Sequence, residues 1–375
     1  MLANATRAAV AVAVAGLMAA SSSSSSPLSS PVPSVMLGGD LPVRRIVNGL
    51  WQTSSAAFGA PPPAAERVEA MAALFASGFT SFDGADHYGP AEDLMGALRE
   101  RLPPAGAAAA TFLTKWCPQP GPVSRADADA AVGKSLARMR TARLDVLQLH
   151  WWAYEQRENM LGCIRHLDAI RREGRIAKLA LTNFDTAHVK LFVEDEGIPI
   201  ASNQVQFSVI DARPLQKMAP YCAAHGVQLL AYGSLMGGLL SDAWLGRPAP
   251  SSRADVATPS LSKYYQMTQT WGSWPLFQEM LRTLRGIADR HGIAGAAPAG
   301  PYSIANVAVA YVLAQPAVAG VIVGVRAGLS EHADENLRAL ELKLTERDLA
   351  EIAAVQAKGA DLLTAIGDCG NEYRR

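Results

Sequence analysis

From Val43 onward the apolar residues follow two alternating rhythms. Short strand-like runs begin near Ile46, Thr80, Thr111, Leu144, Ile176, Ala201, Val227 and Ala319. The first seven are spaced by about 25 to 35 residues, and each interval carries a helical pattern. Val132, Leu136 and Met139 recur at helical spacing behind Ser124 and Asp127, a plausible capping pair. Met160, Ile164 and Leu167 line a second face, which stops at Gly174, a residue suited to a helix C-terminus. Eight strands joined by helices predict an α/β fold of one domain, a (β/α)8 TIM barrel. A doubly wound sheet is the rival architecture, but no G-x-G-x-x-G follows the first strand.

The interval before the last strand is about 90 residues, far longer than the others. Ser241 to Ser273 is rich in Ser, Pro, Tyr and Trp without clear periodicity, the profile of a lid-like insertion in which Tyr264, Tyr265 and Trp271 could close over a site. Leu276 to Arg290 is amphipathic and reads as a helix, Gly295 to Pro301 as a surface loop, and Ile304 to Leu313 as a buried barrel helix.

The chain start is compositionally distinct. No acidic residue precedes Asp40, and the only basic one is Arg7, followed by the apolar stretch Ala8 to Ala20 and the serines Ser21 to Ser26. An acid-free, Ala- and Ser-rich segment with a short apolar run predicts a targeting leader over residues 1–39. A plastid destination is favoured, with mitochondrion and secretion as alternatives and a plain disordered tail as the structural one. The barrel is then expected over residues 40–358, with a C-terminal tail over 359–375.

Composition narrows the function classes. Thirty-four basic residues balance 34 acidic ones, so nothing favours a nucleic acid or an anionic membrane as partner. No apolar run reaches the roughly 20 residues that span a bilayer. Cys117, Cys163, Cys222 and Cys369 are far apart and form no C-x-x-C, which argues against a disulfide scaffold or a zinc ribbon.

The chemistry of a barrel sits where its strands end at the C-terminal face. The second strand ends in Phe82-Asp83, followed by Gly84-Ala85-Asp86-His87-Tyr88-Gly89. The third ends in Leu113-Thr114-Lys115-Trp116 and the fourth in Leu149-His150-Trp151-Trp152. Asp83, Tyr88, Lys115 and His150 suit proton delivery to a carbonyl. A phenol, with a pKa near 10, donates poorly at neutral pH. A lysine ammonium beside it would lower that pKa, an aspartate would keep the lysine charged, and a histidine would orient the substrate oxygen. Each residue also has a structural alternative: Asp83 as a turn cap, Lys115 as a solvated rim residue, His150 as a satisfied core histidine, Tyr88 as a packed loop aromatic. It is their combination on three successive strand ends that is specific. Trp51, Trp116, Trp151 and Trp152 at the same end suggest an apolar substrate pocket, with core packing as the alternative for any one of them.

These motifs resemble those of the aldo-keto reductase family over nearly all of the chain after Val43. Phe82 to Gly89 is similar to the family's D-T-A-x-x-Y-G signature, with Gly84 where threonine is common. Lys115 and His150 match its catalytic lysine and histidine, and Glu173 to Phe184 is similar to E-G-K-I-R-x-I-G-V-S-N-F. The resemblance implies NADP(H) bound without a Rossmann domain, a small-molecule carbonyl substrate, no metal, and a monomer. It implies cofactor contacts from Gly49, Leu50 and Trp51, and hydrogen bonds to the nicotinamide carboxamide from Thr182, Asn183 and Gln204, with Tyr232 stacking on the ring. A pyrophosphate path would run through Ser234, Leu235 and Gly237; Gly233 departs from the family's usual pattern there. Gly324, Arg326, His332, Glu335 and Asn336 fall in the family's adenosine-phosphate region, where the forked guanidinium of Arg326 suits a 2′-phosphate. The implied reaction is NADPH-dependent reduction of an aldehyde or ketone. A redox-sensing regulatory subunit with little turnover is the alternative, because some family members serve beside ion channels and keep these residues. A metal-dependent hydrolase built on Asp83, Asp86, His87 and His150 is disfavoured, because the first strand has no H-x-H.

Overall fold

In the computed structural model, which describes residues 32–292, 301–330 and 332–374, the chain enters through an antiparallel hairpin. Its strands are β1 (Ser34–Leu37) and β2 (Leu41–Arg44). The turn is Gly38-Gly39, with φ of 55° and 91°, a left-handed conformation that costs glycine little. The expected leader boundary after residue 39 therefore falls in this turn, and Val32, before it, is already buried at 1% exposure. The remainder of the expected leader lies outside the described residues.

Eight parallel strands then close a barrel: β3 (Ile46–Gly49), β4 (Ser81–Asp83), β5 (Thr111–Trp116), β6 (Leu144–Leu149), β7 (Ile176–Thr182), β8 (Ile200–Gln206), β9 (Gln228–Tyr232) and β10 (Val318–Gly324). β10 pairs with both β9 and β3, which completes the ring. All eight match the strand-like runs read from the sequence. Closure leaves no unpaired edge.

The barrel interior explains why only one end carries chemistry. Side chains at i and i+2 of a strand share a face. In the lower interior Val47, Leu113, Val146, Ala180, Leu230 and Ile322 pack with Leu37 and Val43 of the hairpin. One step up the same strands the residues become Lys115, Gln148, Thr182 and Tyr232. The hairpin thus fills the N-terminal end with apolar side chains, and the polar layer lies toward the C-terminal end.

A second apolar layer lies between strands and helices, including Phe82, Phe112, Leu149, Ile164, Phe184 and Val309. The helix Arg125–Arg138 starts with the reciprocal capping box of Ser124 and Asp127, and Arg157–Arg172 runs out into Gly174 at φ 86°. In the long insertion, Ser241 to Ser273 is not an irregular lid. It carries the helix Pro259–Trp271, whose Thr258 cap accepts from the Leu261 N–H. The amphipathic helix runs Trp274–Gly292, and the buried one Ile304–Leu313. Most of the expected loop at 295–301 lies outside the described residues. No helix among the described residues is long and apolar enough to cross a membrane.

Residues 359–374 do not form a free tail. Ala360 donates its N–H to the carbonyl of Trp271 at 2.7 Å, and Cys369 is 2% exposed. The anchor is Arg213, itself 2% exposed. It gives two hydrogen bonds of 2.7 Å to Asp211, one of 3.0 Å to Glu372, and others to the carbonyls of Gly367 and Asp368. Removing this cation leaves buried carboxylates without their partner, a loss of about 3–5 kcal/mol. Arg213→Met is expected to lower unfolding free energy by about that amount in denaturant titration. A loss under about 1 kcal/mol would show that the tail is held by other contacts.

Candidate active site

The centre of the site is an ion pair at the ends of β4 and β5. Lys115 is 1% and Asp83 2% exposed. The Lys115 ammonium donates to Asp83 Oδ2 at 2.5 Å and to the carbonyl of Gly84 at 2.8 Å. Asp83 Oδ1 accepts from Gln148 Nε2 at 2.8 Å and Gln204 Nε2 at 2.9 Å, while Gln204 also donates to Gln148 Oε1 at 2.8 Å. Burying either charge alone would cost several kcal/mol. Here the carboxylate is met by one cation and two amides, which offsets that cost. Parallel register fixes the pair, since Asp83 lies beside Leu113 and Lys115 beside Gln148.

Tyr88 follows on the loop after β4, half-buried, with the Lys115 ammonium 4.9 Å from its ring centre. Burial pushes the Tyr88 hydroxyl well above the usual phenol range, and the charge of Asp83 pushes the same way. This is the opposite of the lowering expected from a neighbouring Lys115 ammonium. The difference arises because Asp83 neutralises that ammonium and because desolvation disfavours phenolate. Burial likewise lowers the Lys115 ammonium below the usual lysine range, against the attraction of Asp83.

His150, 6% exposed, ends β6. Burial lowers its pKa to about 3, helped by the charges of Lys115, Arg374, His87 and Lys263. It is therefore a neutral imidazole at pH 7. Asn183 Nδ2 lies 3.3 Å from its Nε2, and Asn183 Oδ1 accepts from the Tyr232 hydroxyl at 2.8 Å. Asn183 holds φ 58°, a left-handed conformation that asparagine tolerates better than most residues. The hydrogen-bonded row His150–Asn183–Tyr232 thus joins three strand ends.

The remaining expected residues separate into three groups. Thr182 is 3% exposed, and its Oγ1 is buried with no protein partner. Ser234, Leu235 and Gly237 follow β9 on a loop with positive φ at Gly233, Met236 and Gly237. A Cβ on Gly233 would come within 2.6 Å of the Tyr264 hydroxyl, and one on Gly237 within 2.9 Å of Ser260. That crowding accounts for the glycine at 233. At the end of β10, Gly324 lies under Gln52, so closely that a Cβ there would meet its amide. Arg326 lies against Gly59, with its Nε buried and unpartnered. His332 is exposed and 3.6 Å from Glu335, which accepts from Ser303 at 2.7 Å. Asn336 is buried in the helix Ala333–Glu341.

Two expectations need correction. The Leu50 side chain is fully buried in the core, its N–H donates to the carbonyl of Asp83 and its own carbonyl accepts from the N–H and hydroxyl of Thr53, so its backbone groups are already taken. Gly49, beside Asp83 in the sheet, and Trp51, half-buried against Phe58, do lie at the mouth. Trp151 is 1% exposed and donates to the carbonyl of Ala153, making it a core residue and not a pocket wall. Its neighbour Trp152 points the other way. It is 38% exposed, bonds Cys117 Sγ, and lies 4.7 Å from the His150 ring. Trp116 is half-buried against the core. In the insertion, Trp271 is core and Tyr265 bonds the carbonyl of Pro250, while Tyr264 packs beneath Gly233.

Sequence reasoning missed the contribution of the chain end. Tyr373 lies 6.0 Å from the His150 ring and 5.4 Å from Trp152, and its hydroxyl is 3.1 Å from that of Tyr232. Lys263 of the helix Pro259–Trp271 also donates to the Tyr373 hydroxyl. Gln148 was missed as well, although its place two residues before His150 on the same strand face was a signal.

The model of the Aldo/keto reductase family matches residues 45–357. Among curated proteins, the chain is 29% identical over 166 residues to flagellar radial spoke protein 5 of Chlamydomonas reinhardtii, covering 40% of this chain and 31% of that one. It is 29% identical to an uncharacterised oxidoreductase of Bacillus subtilis, covering 62% and 66%, and 29% identical to the glyoxal reductase of the same organism, covering 47% and 61%. The matches thus span at most about two thirds of these relatives. Two solved structures share the fold. Glycerol dehydrogenase from Gluconobacter oxydans has a TM-score of 0.68 at 20% identity, covering 89% of this chain and 96% of that one. An aldo/keto reductase from Klebsiella pneumoniae in complex with NADP and acetate has a TM-score of 0.61 at 20% identity, covering 86% and 95%.

Because His150 is held neutral by burial, it stabilises the fold in a pH-dependent way. Its folded pKa, about 3, lies below the unfolded value of 6.5. The contribution is complete above pH 6.5 and is lost as pH falls toward 3, at about 1.4 kcal/mol per pH unit. The stability difference between wild type and His150→Gln is expected to shrink by that slope between pH 6.5 and 5. A difference independent of pH would show that His150 titrates normally.

Proposed function

Since the chain belongs to the Aldo/keto reductase family, we propose that it reduces an aldehyde or ketone to an alcohol with NADPH. The observation that carries this reading is the buried Asp83–Lys115 pair with its ammonium against the Tyr88 ring and neutral His150 among the same strand ends. When bound, the nicotinamide supplies a hydride to the carbonyl carbon.

The chain's own residues do the rest. Tyr88 gives its hydroxyl proton to the carbonyl oxygen. Its raised pKa keeps that proton in place until negative charge develops on the oxygen. Lys115 then stabilises the phenolate left behind, and Asp83, fixed by Gln148 and Gln204, holds the ammonium in position. His150, being uncharged, orients the carbonyl by a hydrogen bond without competing as the acid. Trp51, Trp116 and Trp152 form apolar walls that limit water around the reacting oxygen.

The cofactor site is supported by unpaired donors. Thr182 Oγ1 and Arg326 Nε are buried without partners, a state that costs about 1–3 kcal/mol each unless a ligand satisfies it. Thr182, Asn183 and Gln204 would hold the carboxamide and Tyr232 the ring. Ser234, Leu235 and Gly237 would carry the pyrophosphate. Arg326 and His332, with Glu335 and Asn336 behind them, would take the 2′-phosphate and adenosine.

NADPH oxidation over a panel of aliphatic, aromatic and sugar-derived carbonyls tests the reading. Tyr88→Phe is expected to lower turnover by at least about 10²–10⁴-fold, with NADPH binding, followed by fluorescence, near wild type; unchanged turnover would remove Tyr88 as the acid. Arg326→Ala is expected to weaken NADPH more than NADH in the same binding assay. Equal weakening would show that Arg326 does not read the 2′-phosphate.

A further inference from the structure

The mouth of the barrel holds more positive charge than the proposed reduction of a neutral carbonyl requires. Lys115 is neutralised by Asp83. Two further cations, Lys263 and Arg374, lie close enough to His150 to help lower its pKa. Among the described residues neither forms an ion pair. The nearby carboxylates of the described residues are taken up elsewhere: Asp211 and Glu372 by Arg213, Asp86 by His87 and the Cys117 N–H, Asp185 by His188, and Asp368 by the N–H groups of Thr186 and Cys369.

Lys263 is half-buried and stands among three phenol rings, with Nζ 5.0 Å from the centre of Tyr232, 5.1 Å from Tyr264 and 4.5 Å from Tyr373. An ammonium has three N–H donors, and one is given to the Tyr373 hydroxyl. Arg374 stacks 3.7 Å over Tyr154 and gives Nη2 to the carbonyl of Trp151, leaving Nε and Nη1 buried without acceptors. Tyr373 connects this charge to the reaction site, since its ring contacts both His150 and Trp152.

We propose that the carbonyl compound taken by this site carries an oxyanion, a carboxylate or a phosphate, which Lys263 binds beside Tyr373 while Arg374 adds to the attracting field. The inference rests on the reductase reading and narrows it from carbonyls in general to anionic ones. An oxyanion supplies acceptors for the donors Lys263 has left, in a partly desolvated place where a charge-assisted hydrogen bond is strong. The aromatic rings around it keep water from competing.

The test compares matched pairs with the full-length protein and NADPH: succinic semialdehyde against butanal for the carboxylate, and glyceraldehyde 3-phosphate against glyceraldehyde for the phosphate. The wild type is expected to prefer at least one charged member by tenfold or more in kcat/KM, and the pair that shows it identifies the anion. Lys263→Met is expected to lower that preference by at least about tenfold, mainly through KM, and Lys263→Arg to restore most of it. No preference for either anion, or a preference unchanged in Lys263→Met, would overturn the proposal. So would a loss in Lys263→Met matched by equal weakening of NADPH binding, which would assign Lys263 to the cofactor. A second readout separates this from failure of the reductase reading. Calorimetric binding of 4-hydroxybutyrate and of glycerol 3-phosphate to the NADP+-loaded protein needs no turnover. Anion binding lost in Lys263→Met, with no carbonyl reduced, would sustain the anion site and sink the reductase reading. No binding of either anion and no charged-substrate preference would sink the anion site alone.

Discussion

Two opposite charges removed from water near the end of a closed barrel set the terms for everything around them. Asp83 and Lys115 are almost inaccessible to solvent, and a buried ion pair is tolerable only when its remaining hydrogen-bonding capacity is met. Gln148 and Gln204 meet that need for the carboxylate, and the Gly84 carbonyl for the ammonium. These partners come from β6, β8 and the loop after β4, so the pair is held by elements contributed across the ring. The hairpin at the opposite end has a related consequence: by filling the bottom of the barrel with Leu37 and Val43, it leaves the polar layer a single outlet.

The same burial governs proton chemistry. It raises the phenol of Tyr88, lowers the imidazole of His150, and lowers the ammonium of Lys115. Each shift favours the form with less charge. The result is a site in which Tyr88 retains its proton and His150 remains neutral, as the proposed roles of acid and orienting group require. The nearby unpaired cations are the exception to this economy of charge, and they lie on two segments outside the regular strand-and-helix units, the insertion helix and the C-terminal residues.

Those two segments also mark the limit of what could be read in advance. Asp83, Lys115 and His150 were legible because each sits at a strand end, where periodicity changes and a reactive residue stands out, and Tyr88 because it follows Asp83 on the next loop. Trp151 and Trp152 were not distinguishable, since adjacent residues with identical chemistry take opposite sides once the chain leaves the strand: one is core, the other stands by His150. Tyr373 and Glu372 carried no periodic signal, being about 140 residues from the Tyr232 they contact.

The sequence by itself determined the eight strand-and-helix units, the barrel they close, and the chemical types at its mouth, because strand period and helix period are local properties of the chain. Only the tertiary structure decided the charge state of that mouth. Whether Lys115 activates Tyr88 by attraction, whether His150 carries a proton, and which cations are left over depend on burial and on partners distant in sequence. Arg213 drawing Glu372 and the tail into place is the clearest case, because an ion pair between residues 159 apart leaves no mark on local pattern.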